Sequence, residues 1–135
     1  MTEHSEALSI RSQEDVVLVR QEVRRRAAQV GMNLVDQTKV VTAASELARN
    51  TFIYGGGGKV TIEILREDRR AGVRLIFEDQ GPGIADIEQA LKDGFTTGNG
   101  LGLGLGGAKR LSSEFNIVSQ RGQGTKVTIV RWNRS

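Results

Sequence analysis

Cysteine is absent from this chain of 135 residues, proline and histidine occur once each, and the aromatic side chains amount to four Phe, one Tyr and one Trp. Without cysteine there are no disulfides and no thiolate metal sites. The lone His4, read here as part of a polar N-terminal tail, leaves no His-based metal cluster and no Ser-His or Cys-His catalytic pair. Any general base must then be a carboxylate. No apolar run is long enough to span a bilayer and no signal-peptide pattern opens the chain, so the expected address is cytoplasmic, with no membrane partner. The formal charge of +3 comes from 19 basic residues interspersed with 16 acidic ones, which, with so few aromatics for stacking, argues for no nucleic-acid partner. The run Arg24-Arg25-Arg26 falls on the polar side of an apolar helical pattern and reads as a solvated face. The length suits a single domain covering residues 1–135.

Glycine, by contrast, is abundant and grouped. Asp79-Gln80-Gly81-Pro82-Gly83 is followed by a run from Gly98 to Gly107 that contains Gly100, Gly102 and Gly104, and a final group is Gly122-Gln123-Gly124-Thr125. Glycines without a Cβ let backbone N–H groups approach phosphate oxygens, so a nucleoside triphosphate suits them as ligand. Upstream, Glu46-Leu47-Ala48-Arg49-Asn50 sets a carboxylate and an amide four residues apart on one helical face.

Periodicity predicts the elements between these groups. Leu8 and Ile10 alternate with polar residues as a short strand, and a helix follows from about Glu14 to Gly31. A second helix is expected from an N-cap near Asp36 to just before the four glycines Gly55 to Gly58, with Val40, Ala43, Ala44 and Leu47 inward. Two strands centred on Ile62 and Leu75 read as a hairpin around a charged loop, Arg66 to Gly72. Ile87 to Leu91 suits a short helix, Leu105 to Phe115 another, and a last hairpin pairs Asn116–Gln120 with Thr125–Trp132. Together they make an α+β two-layer sandwich: a five-stranded, mixed but mostly antiparallel sheet with about three main helices on one face.

Two familiar glycine motifs do not fit. Gly102-x-Gly104-x-x-Gly107 matches the dinucleotide fingerprint in letters, but glycine and threonine precede it where a strand is required. The phosphate-loop pattern fails because Ala108 separates Gly107 from Lys109.

The ordered set Glu46-x-x-x-Asn50, Asp79-x-Gly81-x-Gly83, Gly100-Leu101-Gly102-Leu103-Gly104 and Gly122-Gln123-Gly124-Thr125 resembles the N, G1, G2 and G3 boxes of the GHKL ATPase/kinase superfamily. The resemblance spans almost the whole chain. Ser45 to Asn50 and Glu78 to Ile84 look most like the short serine/threonine switch kinases of bacterial stressosomes, with anti-sigma-factor kinases as near relatives. It implies the Bergerat fold and an ATP-dependent, Mg²⁺-dependent protein kinase. In that reading Asp79 accepts a hydrogen bond from the adenine amino group, Gly81 and Gly83 let the chain turn beneath the base, and Thr125 supports the site from the next strand. Gly100, Gly102 and Gly104 lie along the phosphates, Asn50 donates its side-chain oxygen to Mg²⁺, and Glu46 is the general base. Asp93 to Gly100, with Thr96 and Thr97, would form a short lid. The implied partners are STAS-domain scaffold or antagonist proteins of a stressosome, as substrates, and a PP2C-type phosphatase activated on release. The other reading the resemblance leaves open is a nucleotide-gated anti-sigma-type binding protein with secondary kinase activity.

Overall fold

A computed structural model describes residues 1–91 and 104–134, without the side chain of residue 134. The chain runs β1 (Thr2–Ile10), α1 (Gln13–Gln29), α2 (Leu34–Ile53), β2 (Gly58–Glu67), β3 (Arg70–Asp79), α3 (Ile87–Ala90), α4 (Leu105–Arg110), β4 (Glu114–Ser119) and β5 (Thr125–Arg134). The strands form one sheet in the order β1-β2-β3-β5-β4, and each neighbouring pair is antiparallel. This is the expected α+β class, with every pairing antiparallel where a mixed sheet was anticipated.

The core lies between the sheet and the helices. Val60 and Ile62 of β2, Val73, Leu75 and Phe77 of β3, and Val127 and Ile129 of β5 alternate toward Val19 and Val23 of α1 and Val40, Ala44 and Leu47 of α2, all essentially without solvent contact. Burying each large side chain among these contributes roughly 1.5–3 kcal/mol. On the sheet's other face a small separate cluster joins Leu65, Val130 and Trp132. There Arg70 stacks on the Trp132 ring at 3.7 Å, and Gly72 is needed because a Cβ would come within 2.7 Å of that indole.

Several boundaries differ from expectation, each for a local reason. β1 begins at Thr2, so His4 lies in a strand. Its first two inward positions, His4 and Glu6, are polar because Arg26 of α1 reaches down to meet Glu6, with NH2 2.7 Å from the carboxylate, and His4 hydrogen-bonds the same oxygen. The arginine run therefore divides: Arg26 is nearly buried in ion pairs with Glu6 and Glu22, while Arg25 pairs with Glu22 at the surface. The N-cap of α2 is Asn33, whose side chain accepts the Asp36 N–H at 2.8 Å. Asp36 is instead drawn into an ion pair with Arg131 of β5. The β2–β3 turn is only Asp68-Arg69, so the charged residues expected in a loop extend both strands, with Arg66 paired to Glu3 on β1. Helix α4 stops at Arg110, and Phe115 belongs to β4, where it still faces the core.

Candidate nucleotide site

The carboxyl ends of β3 and α2 and the beginning of β5 converge on one pocket of about 460 Å³, counted to its open mouth. Its walls are chiefly apolar, from Leu47, Phe77, Ile84, Leu105 and Val127, with Asn50, Thr51, Tyr54, Asp79 and Thr125 as polar members. A concave, largely apolar cleft with a few convergent polar groups is the common form of a small-molecule site. Among the described residues one carboxylate, Asp79, stands in it.

Asp79 closes β3, paired across the sheet with Gly58 on one side and Thr125 on the other. Its Oδ1 accepts the Gly81 N–H at 2.9 Å. Burial pushes its carboxyl above the ordinary aspartate range, against the opposing pull of the Gly81 and Thr125 N–H groups. Thr125 lines the pocket and its hydroxyl meets Ser119 Oγ at 2.7 Å; Ser119 in turn accepts the Ile84 N–H at 2.8 Å. The chain after β3 is thereby tied to the last hairpin.

The glycines around Asp79 are held by close packing. A Cβ on Gly81 would lie 2.7 Å from Gly55 Cα, and one on Gly83 or Gly124, both left-handed, would strike the Gln120 or Asp79 carbonyl. Gly104 of the central run behaves alike: at φ +85° it sits against Glu46, whose Oε2 would be 2.6 Å from a Cβ there. Gly100, Gly102 and the segment from Asp93 to Gly100 lie outside the described residues.

Helix α2 carries the remaining candidates. Asn50 faces the pocket, while Glu46, one turn earlier, lines a neighbouring groove between α1 and α2 with Arg20, Arg49 and Phe52. Glu46 is half-buried where that groove meets Gly104. Among the described residues no three His, Cys, Asp or Glu side chains cluster to hold a metal. The sequence reading did not place Tyr54 and Thr51 in this pocket, nor Gly55 against Asp79. In sequence Gly55 to Gly58 read only as a helix stop, although four glycines just past an Asn-bearing helix also signal close packing.

The profile of the histidine kinase-, DNA gyrase B-, and HSP90-like ATPase family matches residues 35–134. The chain is 46% identical over 120 residues to the serine/threonine-protein kinase RsbT of Bacillus subtilis (strain 168), covering 89% of this chain and 90% of that protein. It is 32% identical over 111 residues to the anti-sigma F factor of Anoxybacillus flavithermus, covering 77% and 75% respectively. Among solved structures, a mycobacterial sensor histidine kinase, MprB, superposes with a TM-score of 0.58 at 21% identity over 97% of this chain and 99% of its own, a likeness of fold. No described helix is long and apolar enough to cross a membrane.

Proposed function

Because this chain belongs to the histidine kinase-, DNA gyrase B-, and HSP90-like ATPase family, we propose that it is an ATP- and Mg²⁺-dependent serine/threonine protein kinase acting as a partner-switching regulator in the bacterial cytoplasm. The observation that carries the reading is the convergence of Asp79 and Asn50 in an apolar cleft with Glu46 in the neighbouring groove one turn away on α2. Asp79 accepts the adenine amino hydrogen; guanine would present a carbonyl oxygen there and be repelled. Asn50 holds Mg²⁺, which when bound neutralises charge on the phosphate oxygens. A substrate hydroxyl enters along the α1–α2 groove. As its oxygen bonds to the γ-phosphorus, its proton passes to the Glu46 carboxylate, and ADP leaves with the electron pair of the broken bond.

The 46% identity to RsbT supports STAS-domain proteins of a stressosome as substrates and a PP2C-type phosphatase as the second partner. Incubation with ATP, Mg²⁺ and candidate STAS-domain proteins, followed by phosphosite mapping, tests this. Glu46→Ala is expected to keep nucleotide affinity while losing roughly a hundredfold in phosphotransfer. An unchanged rate in that variant would remove Glu46 as the base. The likeness to anti-sigma F factors favours a second reading, a nucleotide-gated sigma-factor antagonist. Tight binding of a sigma factor with ATP and no phosphorylation of STAS proteins would establish that one instead.

A further inference from the structure

We infer that Gly55 is a specificity-determining position: the space left by its missing side chain is where the Asp79 carboxyl stands, so residue 55 decides whether that carboxyl can meet the amino group of adenine. The inference rests on the reading of Asp79 as the base anchor. Helix α2 ends with the N–H groups of Tyr54 and Gly55 both donating to the Asn50 carbonyl, at 2.9 and 3.0 Å. This tight exit carries residue 55 across the end of β3. An ideal Cβ on Gly55 would lie 2.5 Å from Asp79 Cγ and 2.6 Å from both its Cβ and its Oδ2. Rotation about χ1 moves the carboxyl but not Asp79 Cβ, which the strand backbone fixes between β2 and β5.

Neither partner has room to retreat. Behind Gly55 stands Gly81, whose own Cβ would fall 2.7 Å from Gly55 Cα and 2.8 Å from its carbonyl oxygen. The Gly81 N–H also holds Asp79 Oδ1 at 2.9 Å, so displacing the carboxyl breaks that bond too. Torsion is not the reason for glycine here. Gly56 and Gly57 have positive φ, at 76° and 102°, whereas Gly55 is not among the left-handed residues, so alanine fits its backbone and fails only for space. Any side chain at 55 therefore acts on the site by moving Asp79, making Gly55 a positioning residue.

The test is calorimetric titration of Mg-ADP and Mg-GDP into the full chain, its Gly55→Ala and Asp79→Asn variants, and the double variant. Gly55→Ala is expected to weaken ADP roughly tenfold or more, the scale of one charge-assisted hydrogen bond, and leave GDP unmoved. The double variant should bind ADP no more weakly than Asp79→Asn alone. If Asp79→Asn loses ADP affinity while Gly55→Ala keeps its ADP-over-GDP ratio, the inference on Gly55 is overturned and the base anchor stands. If Asp79→Asn itself binds ADP normally, the base anchor falls and the inference with it. Should Gly55→Ala lower the melting temperature, the same substitution is made in an Asp79→Gly background. A smaller loss there supports the steric link; an equal loss refutes it.

Discussion

At Asp79 the cost of burying a carboxylate and the use proposed for it oppose each other. Burial lifts its carboxyl above the ordinary range, so the folded state holds the proton more tightly than the unfolded chain. The stability this contributes is full below the unfolded value of 3.8 and is lost as pH rises through the raised one. Asp79→Asn should therefore leave the nucleotide-free protein at neutral pH as stable as before or more so, measured by urea denaturation. In the proposed role the adenine amino group is held by the ionised form. Nucleotide affinity is expected to decline as pH falls through the raised value, earlier than an exposed aspartate would allow, and to show no such step in Asp79→Asn.

Glu22 illustrates the opposite sign. The hydrogen bond from Arg25, with the positive charge of Arg26 beside it, holds its carboxyl down at about 2, from an ordinary 4.5. Stabilisation is present above 4.5 and is lost as pH falls toward 2. At a surface network this amounts to about 1 kcal/mol. Glu22→Gln should flatten that part of an acid-denaturation curve.

Between elements, the far ends of the helices are fastened by the last strand. Arg131 of β5 donates to the Leu111 carbonyl that ends α4, at 3.0 Å, and to Asp36 in the first turn of α2, at 2.9 Å, while Asn133 donates to the Val30 carbonyl that ends α1, at 2.7 Å. Arg131→Met is expected to cost about 1.5–3 kcal/mol, the usual effect of losing hydrogen bonds to a charged group. Because α4 runs from this clamp to Gly104, the variant should also loosen nucleotide binding without altering any pocket residue. Denaturation and ADP titration of the same variant check both. A sequence cannot announce such a clamp: an Asp after a turn reads as a cap, and its partner lies 95 positions away.

What the sequence did make legible follows from period. The alternation in β2, β3 and β5 and the apolar stripe of α2 come from burial on one face, and each places its residues in the core. Leu8 and Ile10 revealed the end of β1, but His4 and Glu6 hid its first half because a cross-element ion pair replaces the apolar inward residues that reveal a strand. Phe115 reads as helical in sequence because it keeps to the core side in either structure. In the site, the glycine boxes located Asp79 and Thr125 beside one pocket, but the contact between Gly55 and Asp79 is spatial and leaves no spacing rule.

Over the whole molecule, helices cover one side of the sheet, and the pocket and the Glu46 groove open beside each other along α2. A protein substrate lying in that groove would, once phosphorylated, carry a charge of about −1.5 to −2 next to the Glu46 carboxylate. Kinase and product should then separate. A STAS-domain partner is expected to bind tightly before modification and weakly after it, with a Ser→Asp mimic reproducing the release; equal affinities by calorimetry with ADP present would reject the switch.

The uncovered side of the sheet gives the protein an optical probe of its own. Trp132 is the sole indole, buried under Arg70 with its Nε1–H donating to Glu114 at 2.7 Å, and it lies across the sheet from the nucleotide pocket. Its fluorescence should remain steady as ADP fills the site, then redden when the strands part, so emission spectra distinguish ligand binding from unfolding in one cuvette.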